Sequence, residues 1–148
     1  MSTPDELARD CGDALWTGDQ ACKALGIALV HIAPGTATMT LRVGADMVNG
    51  HDVCHGGLIF TLADSCFAYA CNSENFNTVA AGARIEFLAP ARLGDELTAT
   101  ARQVQQGRRG GVFDITVINQ AQQLIALFRG NSHRIGGHLV DVPTGEDA

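Results

Sequence analysis

The strongest constraint in this chain is the run Gly57–Cys71, GLIFTLADSCFAYAC, which is apolar nearly all round and carries one formal charge, Asp64. Its length and its wealth of Leu, Ala and Phe favour a buried helix over a strand. It falls short of the roughly 18 apolar residues that a membrane span requires. A helix without a polar face needs a surface that covers it on most sides, and the rest of the chain must supply that surface.

The flanking segments read as strands. Ile27–Ile32 and Thr36–Val43 precede the helix, and Pro34-Gly35 between them signals a hairpin. Val79–Phe87, Glu96–Val104, Val112–Ile118 and Leu124–Arg134 follow it, separated by Gly94-Asp95, Gln106-Gly107 and Asn119–Gln122. Phe113, Ile115 and Val117 alternate with Asp114 and Thr116, as in a strand with one buried face. Leu124–Phe128 is apolar on both faces, as expected of a central or interface strand. Residues 4 to about 22 read as an N-terminal helix, with Pro4 near the start and acidic residues in the first turn. The order α-β-β-α-β-β-β-β predicts an α+β chain in which a strongly curved antiparallel sheet wraps one helix, the hot-dog arrangement. No repeat or composition break divides residues 1–148, so one domain is expected, with a loose acidic tail from about residue 137.

Charge and cysteine usage narrow the function classes. A net charge of −6 and a pI near 5.2 leave no basic footprint for general nucleic-acid binding. Five cysteines, Cys11, Cys22, Cys54, Cys66 and Cys71, form an odd set without a CxxC pair. They read as reduced thiols of a cytoplasmic protein. The N-terminus has no apolar signal core, and no membrane association is expected.

Chemistry concentrates between Asn49 and Asp64. Gly56 and Gly57 open the buried helix, where missing side chains admit a ligand and free N–H groups can hold a carbonyl oxygen as it gains negative charge. The same pair also suits a plain loop-to-helix turn. Asp64 is a carboxylate in an apolar helix. It either does chemistry, with desolvation raising its pKa and strengthening it as a base, or it points out through a gap or leans on Thr61 or Ser65. Asn49 offers an amide that could bind water or simply order the turn beside Gly50.

Spacing adds a stronger statement. Gly56 and Asp64 stand eight residues apart, which on one helix is about 12 Å along the axis. Attacking water and carbonyl must lie within about 3.5 Å of each other. If both residues act on one carbonyl, they come from two antiparallel copies of the helix, and the site lies at a two-fold dimer interface.

The segment His51-Asp52-Val53-Cys54-His55 superficially matches a zinc-binding helix, but it lies between Gly50 and Gly56-Gly57, Asp replaces the motif's Glu, and no third ligand is evident. No metal is therefore expected. A histidine that orders the loop or lies near substrate fits better.

Several runs together carry a resemblance: Asn49-Gly50-His51, Cys54-His55-Gly56-Gly57, Leu62-Ala63-Asp64, Phe67-Ala68-Tyr69-Ala70-Cys71-Asn72-Ser73, Phe87-Leu88-Ala89-Pro90, Gly94-Asp95, Leu127-Phe128-Arg129-Gly130 and Ser132-His133-Arg134-Ile135-Gly136-Gly137. They resemble the hot-dog thioesterases of the PaaI family, the phenylacetate-degradation thioesterases. The resemblance implies hydrolysis of an arylacetyl-CoA such as a hydroxylated phenylacetyl-CoA, with no cofactor beyond the coenzyme A of the substrate. It implies a homotetramer built as a dimer of dimers, with sites between paired subunits. By position, Asp64 matches the catalytic carboxylate, Gly56 the oxyanion N–H and Asn49 the polar residue beside the thioester. Some relatives add a hydroxyl on the strand after the helix; here Ala80, Ala81, Gly82 and Ala83 fill that stretch, and Thr78 is the nearest hydroxyl.

Coenzyme A brings phosphates, for which Arg108, Arg109, Arg129, His133 and Arg134 are the candidates, while His55 and Gly57 are candidates at the thioester end. Solvated surface charge is the alternative for each arginine. Two other function classes fit the same chain. A hydratase or dehydratase would use His51 or His55 as its base, and an acyl-CoA-binding module would bind without turnover. A metalloprotein using His51, Cys54 and His55 is a third.

Overall fold

The computed structural model describes residues 2–142, and its elements follow hydrophobic patterning closely. Helix α1 spans Pro4–Gly18, α2 Gln20–Leu25 and α3 Gly56–Cys71. The strands are β1 Ala28–Ala33, β2 Thr36–Arg42, β3 Thr78–Phe87, β4 Glu96–Gln106, β5 Gly110–Ile118 and β6 Leu124–Arg134. They form one antiparallel sheet in the order β1-β2-β4-β5-β6-β3. The sheet wraps α3, which packs against β2, β4, β5, β3 and β6. This is the hot-dog fold that the patterning predicts.

The expected single N-terminal helix is instead two. Gly18 is a weak helix former, and Asp19 leaves the helical region (φ −85°, ψ 76°) to cap the next helix, its Oδ1 accepting from Cys22 N–H at 3.1 Å. The break is held from the core, because buried Tyr69 donates its hydroxyl to Asp19 Oδ2 at 2.9 Å. α1 itself begins with a capping box between Thr3 and Glu6.

Small residues on the inner face of the sheet let α3 approach it closely. Ala37, Ala99 and Ala101 are fully buried, and the Cys66 thiol reaches the carbonyls of Ala37 and Ala99 at 3.2 and 3.4 Å. Larger residues fill the flanks. Phe67 lies between Phe113 and Phe128, with ring centroids 5.7 and 5.9 Å away. Gly130 makes room for it: a Cβ there would sit 2.6 Å from the Phe67 ring.

Two edges matter for the site. β3 is an edge strand, and most of its residues are exposed despite their apolar character, including Ala80, Ala81, Gly82 and Ala83. α3 keeps one uncovered stripe, with Gly57 and Ala68 exposed and Thr61 and Asp64 part-exposed between them. These residues recur at helical spacing on one face.

Part of the tail expected to be loose from about residue 137 is held at Leu139 and Val140. The Asn75 side chain accepts from the N–H groups of Leu139 and Val140 and donates to Val140 O, which pins the segment across the end of α3. Residues 143–148 lie outside the described residues. No described helix is long and apolar enough to cross a membrane.

Candidate active site

The start of α3 assembles the first half of a site. Its N-cap is His55, whose Nδ1 accepts from Gly57 N–H at 3.0 Å. That bond commits the Gly57 donor internally, so Gly57 does not offer a free N–H to substrate. The Gly56 N–H, by contrast, has no hydrogen-bond partner among the described residues. A helix N-terminus with one unspent amide is a natural seat for a developing oxyanion. His55 is thereby a structural cap. With Nδ1 accepting, its neutral ring keeps its hydrogen on Nε2 and has no free lone pair for a general base.

Asn49 orders its loop, one of the two roles the sequence allowed. Its Oδ1 orders the loop by accepting from His51 N–H at 2.9 Å and Val53 N–H at 3.4 Å. Its Nδ2 has no partner among the described residues, and Asn49 lines the same open cleft as Gly56, about 360 Å³ in size. Cys54 lines that cleft too, but burial pushes its thiol pKa up, which makes it a poor nucleophile.

Phe87 completes this half-site, and sequence reasoning assigned it no role. Its ring covers Gly56: a Cβ on Gly56 would lie 3.0 Å from Phe87 Cζ. Its outer side stays open to the cleft, with the residue 54% exposed. Nothing in the local pattern links an aromatic at the end of β3 to a glycine at the start of α3; only the wrap of the sheet brings them together.

Asp64 sits halfway along α3 on the uncovered stripe. Thr61 donates its hydroxyl to Gly57 O at 2.9 Å, and Ser65 Oγ accepts from the Cys22 thiol at 3.4 Å. Neither hydroxyl bonds Asp64, whose carboxylate has no hydrogen-bond partner among the described residues. Burial lifts its pKa above the ordinary carboxylate value. Thr78 is not available as an auxiliary hydroxyl, because it is buried and donates to Phe76 O at 2.6 Å.

Four of the five candidate phosphate-binding residues assemble. Arg108, Arg109, His133 and Arg134 surround one cavity of about 630 Å³, joined by Phe76 and His138, which sequence reasoning missed. The Arg134 guanidinium lies 4.1 Å from the centroid of the Phe76 ring, and Arg134 N–H donates to Arg109 O. Arg129 is not part of this cluster. Strand alternation turns it to the outer sheet face, where it makes a two-point ion pair with Asp114 at 2.7 and 2.8 Å. Its charge is already matched there, apart from the other four. Among the described residues no group of three or more His, Cys, Asp or Glu gathers in metal-binding geometry.

Comparison with known proteins bears on this arrangement directly. The family model for the Thioesterase superfamily matches residues 51–126, which contain both the α3 start and Asp64. The chain belongs to the thioesterase superfamily. Among this superfamily's curated members, the acyl-coenzyme A thioesterase PaaI of Escherichia coli (strain K12) is 51% identical over 126 residues, 85% of this chain and 90% of that protein. The solved structure of the E. coli PaaI protein from the phenylacetic acid degradation operon superposes with a TM-score of 0.91 at 48% identity, covering 92% of this chain and 99% of that one. A Streptococcus mutans UA159 protein bound to acetyl CoA gives a TM-score of 0.73 at 31% identity, covering 76% and 90%. This thioesterase-superfamily chain is a thioester hydrolase.

Proposed function

We propose that the chain hydrolyses acyl-CoA thioesters, with arylacetyl groups such as hydroxyphenylacetyl as the preferred acyl class, in phenylacetate catabolism. One observation carries the reading: Asp64 is half-buried, raised in pKa and unpartnered on a helix stripe that the sheet leaves open. The similarity to a phenylacetic acid operon protein supports the acyl class. Five free, buried cysteines suit a reducing cytoplasm.

The site is completed by a second copy of the chain. Gly56 and Asp64 lie on one helix, about 12 Å apart along its axis. Pairing the free edges of two β3 strands antiparallel sets two α3 helices side by side and opposed, so Asp64 of one faces Gly56 of the other. Two such dimers then form the expected tetramer. The thioester carbonyl accepts from the Gly56 N–H, with Asn49 Nδ2 donating beside it. Asp64 of the opposing subunit removes a proton from water, and the hydroxide attacks the carbonyl carbon. The oxyanion collapses, the C–S bond breaks and the CoA thiolate leaves to take up a proton. Direct attack by Asp64 to give an anhydride is the second route, and a single turnover in heavy-oxygen water separates them. No metal or cofactor enters either route.

The deciding experiment follows CoA release with a thiol reagent across phenylacetyl, hydroxyphenylacetyl, benzoyl and aliphatic CoA thioesters. The expected result is turnover with the highest kcat/KM on the arylacetyl members. Tight binding without thiol release would replace the hydrolase with a binding module, and hydration of an enoyl-CoA would replace it with a hydratase.

Two further outcomes follow from the geometry. Replacing Arg108 and Arg109 together by alanine removes charge-assisted contacts worth about 1.5–3 kcal/mol each, so KM rises about 10²-fold or more while kcat holds. Gly56→Ala drives a methyl into the Phe87 ring and tilts the free amide. The expected kcat loss approaches about 10²-fold, the effect of roughly 1 Å of misplacement at a reacting centre. Adding Phe87→Leu in the same chain relieves the clash and recovers part of it.

A further inference from the structure

We infer that Phe87 selects the acyl group: its free ring face stacks on the aryl ring of the thioester whose carbonyl the neighbouring Gly56 N–H holds. This rests on the acyl-CoA hydrolysis proposed above and adds which residue chooses an arylacetyl group over other acyl groups.

The ring stands beside the free amide. Phe87 closes β3, where it pairs with buried Ala126. Like Ile85, which packs on the core, it turns to the concave side of the sheet. A Cβ built on Gly56 would lie 3.0 Å from Phe87 Cζ and 3.4 and 3.5 Å from the two Cε atoms. The ring therefore meets Gly56 tip first and turns a face to the cleft, with more than half of the residue exposed. Backbone pairing of two β3 edges runs in the plane of the sheet and does not itself occupy that face.

The cleft suits the acyl end of the substrate and not its pantetheine arm. Apart from Asn49, the side chains that line it carry no charge and no oxygen or nitrogen atom; Val53, Ile59, Leu88 and Pro90 are among them. Backbone donors around it are spent. Asn49 N–H bonds Val53 O, Cys54 N–H bonds Ala91 O, and the N–H groups of Leu88 and Ala89 bond Ile125 O. Val53 N–H bonds Asn49 Oδ1. The donors left over are Gly56 N–H and Asn49 Nδ2, and the thioester carbonyl takes those. Pantetheine amides buried here without partners would cost free energy. An aryl ring needs no partner and gains from burial.

Ring against ring then discriminates among acyl groups. Aromatic pairs gain from offset or edge-to-face contact beyond the area they bury. An arylacetyl ring hangs from a saturated methylene, so it can turn out of the thioester plane to meet Phe87 while the carbonyl stays on Gly56 N–H. A benzoyl ring is conjugated with its carbonyl and is held in that plane. A cyclohexylacetyl group has the reach and the bulk of phenylacetyl but no π face.

The test follows thiol release from phenylacetyl-CoA, cyclohexylacetyl-CoA and benzoyl-CoA by the full chain, by Phe87→Leu and by Phe87→Met, with kcat/KM as the readout. The parent is expected to favour phenylacetyl over both others. Either substitution is expected to lower the phenylacetyl-to-cyclohexylacetyl ratio by about 2- to 12-fold, the worth of an aromatic pair beyond its area. The phenylacetyl-to-benzoyl ratio should fall in the same variants. Loss of packing at Phe87 alone would slow all three substrates alike, since they share the oxyanion amide, Asp64 and the coenzyme A end. Ratios that stay at the parent's values in both variants therefore overturn the inference while the hydrolase reading stands. A parent that releases no thiol, or that handles the three thioesters equally well, overturns the arylacetyl reading of the function, and the selecting role of Phe87 falls with it.

Discussion

Asp64→Asn is expected to lower kcat by about 10²–10⁴-fold, the range supplied by a positioned general base, with the fold intact. The substitution keeps size and shape and removes the only formal charge on α3. Its stability consequence has a definite sign. Burial raises the folded pKa of Asp64 above its reference value of 3.8. Between those two pKa values the folded protein holds a proton that the unfolded chain has released, so stability falls as pH rises through that window. Above it the ionised carboxylate opposes folding in full. The asparagine variant is free of that cost, so its Tm at neutral pH is expected to equal or exceed that of the parent. In the parent, kcat/KM is expected to fall as pH drops through the raised Asp64 pKa and the base becomes protonated. A variant that retains near-normal turnover, or that loses activity only through unfolding, removes Asp64 from the mechanism.

Phe67→Ala is expected to be the most damaging truncation for stability. The ring is fully buried, sits against Phe113 and Phe128, and fills the hollow over Gly130. Removing a buried phenyl group costs about 3–5 kcal/mol, against a total of about 5–15 kcal/mol for a domain. Urea unfolding followed by circular dichroism reads the loss as a lower midpoint. The complementary change, Gly130→Val, overpacks the same contact and is expected to destabilise by about 1–3 kcal/mol. The two should couple. With Phe67 already shortened to alanine, the valine enters the vacated space and its cost shrinks or reverses. Additive losses would show that Gly130 is needed for its backbone rather than for the Phe67 ring.

Patterning made much of the fold legible before any coordinates. β6 was read at its observed limits of Leu124–Arg134, and α3 within one residue, because long periodic or uniformly apolar runs leave few alternatives. β4 and β5 came out longer than expected, to Gln106 and from Gly110. Polar residues there are paired through their backbones, which composition does not reveal. The α1–α2 break was missed because its cause lies elsewhere in the sequence, in the Tyr69 hydroxyl on Asp19. The hold on Leu139 and Val140 has a similarly distant cause: Asn75, in a left-handed conformation (φ 71°), reaches across to them.

For the candidate site, the sequence by itself determined the types of group on offer and one distance. An acid isolated in an apolar helix, glycines at its start and a fixed helical rise were enough to separate Gly56 from Asp64 and to call for a second chain. Those are local facts, set by residue chemistry and by the geometry of a single element. Tertiary structure decided which groups are free. It spent the Gly57 amide on His55, left the Gly56 amide open under Phe87, denied Asp64 both hydroxyl neighbours, and matched Arg129 with Asp114 while gathering the other basic residues in one cavity. A group's reactivity depends on the partners that burial and long-range packing bring to it, and residues distant in sequence supply those partners.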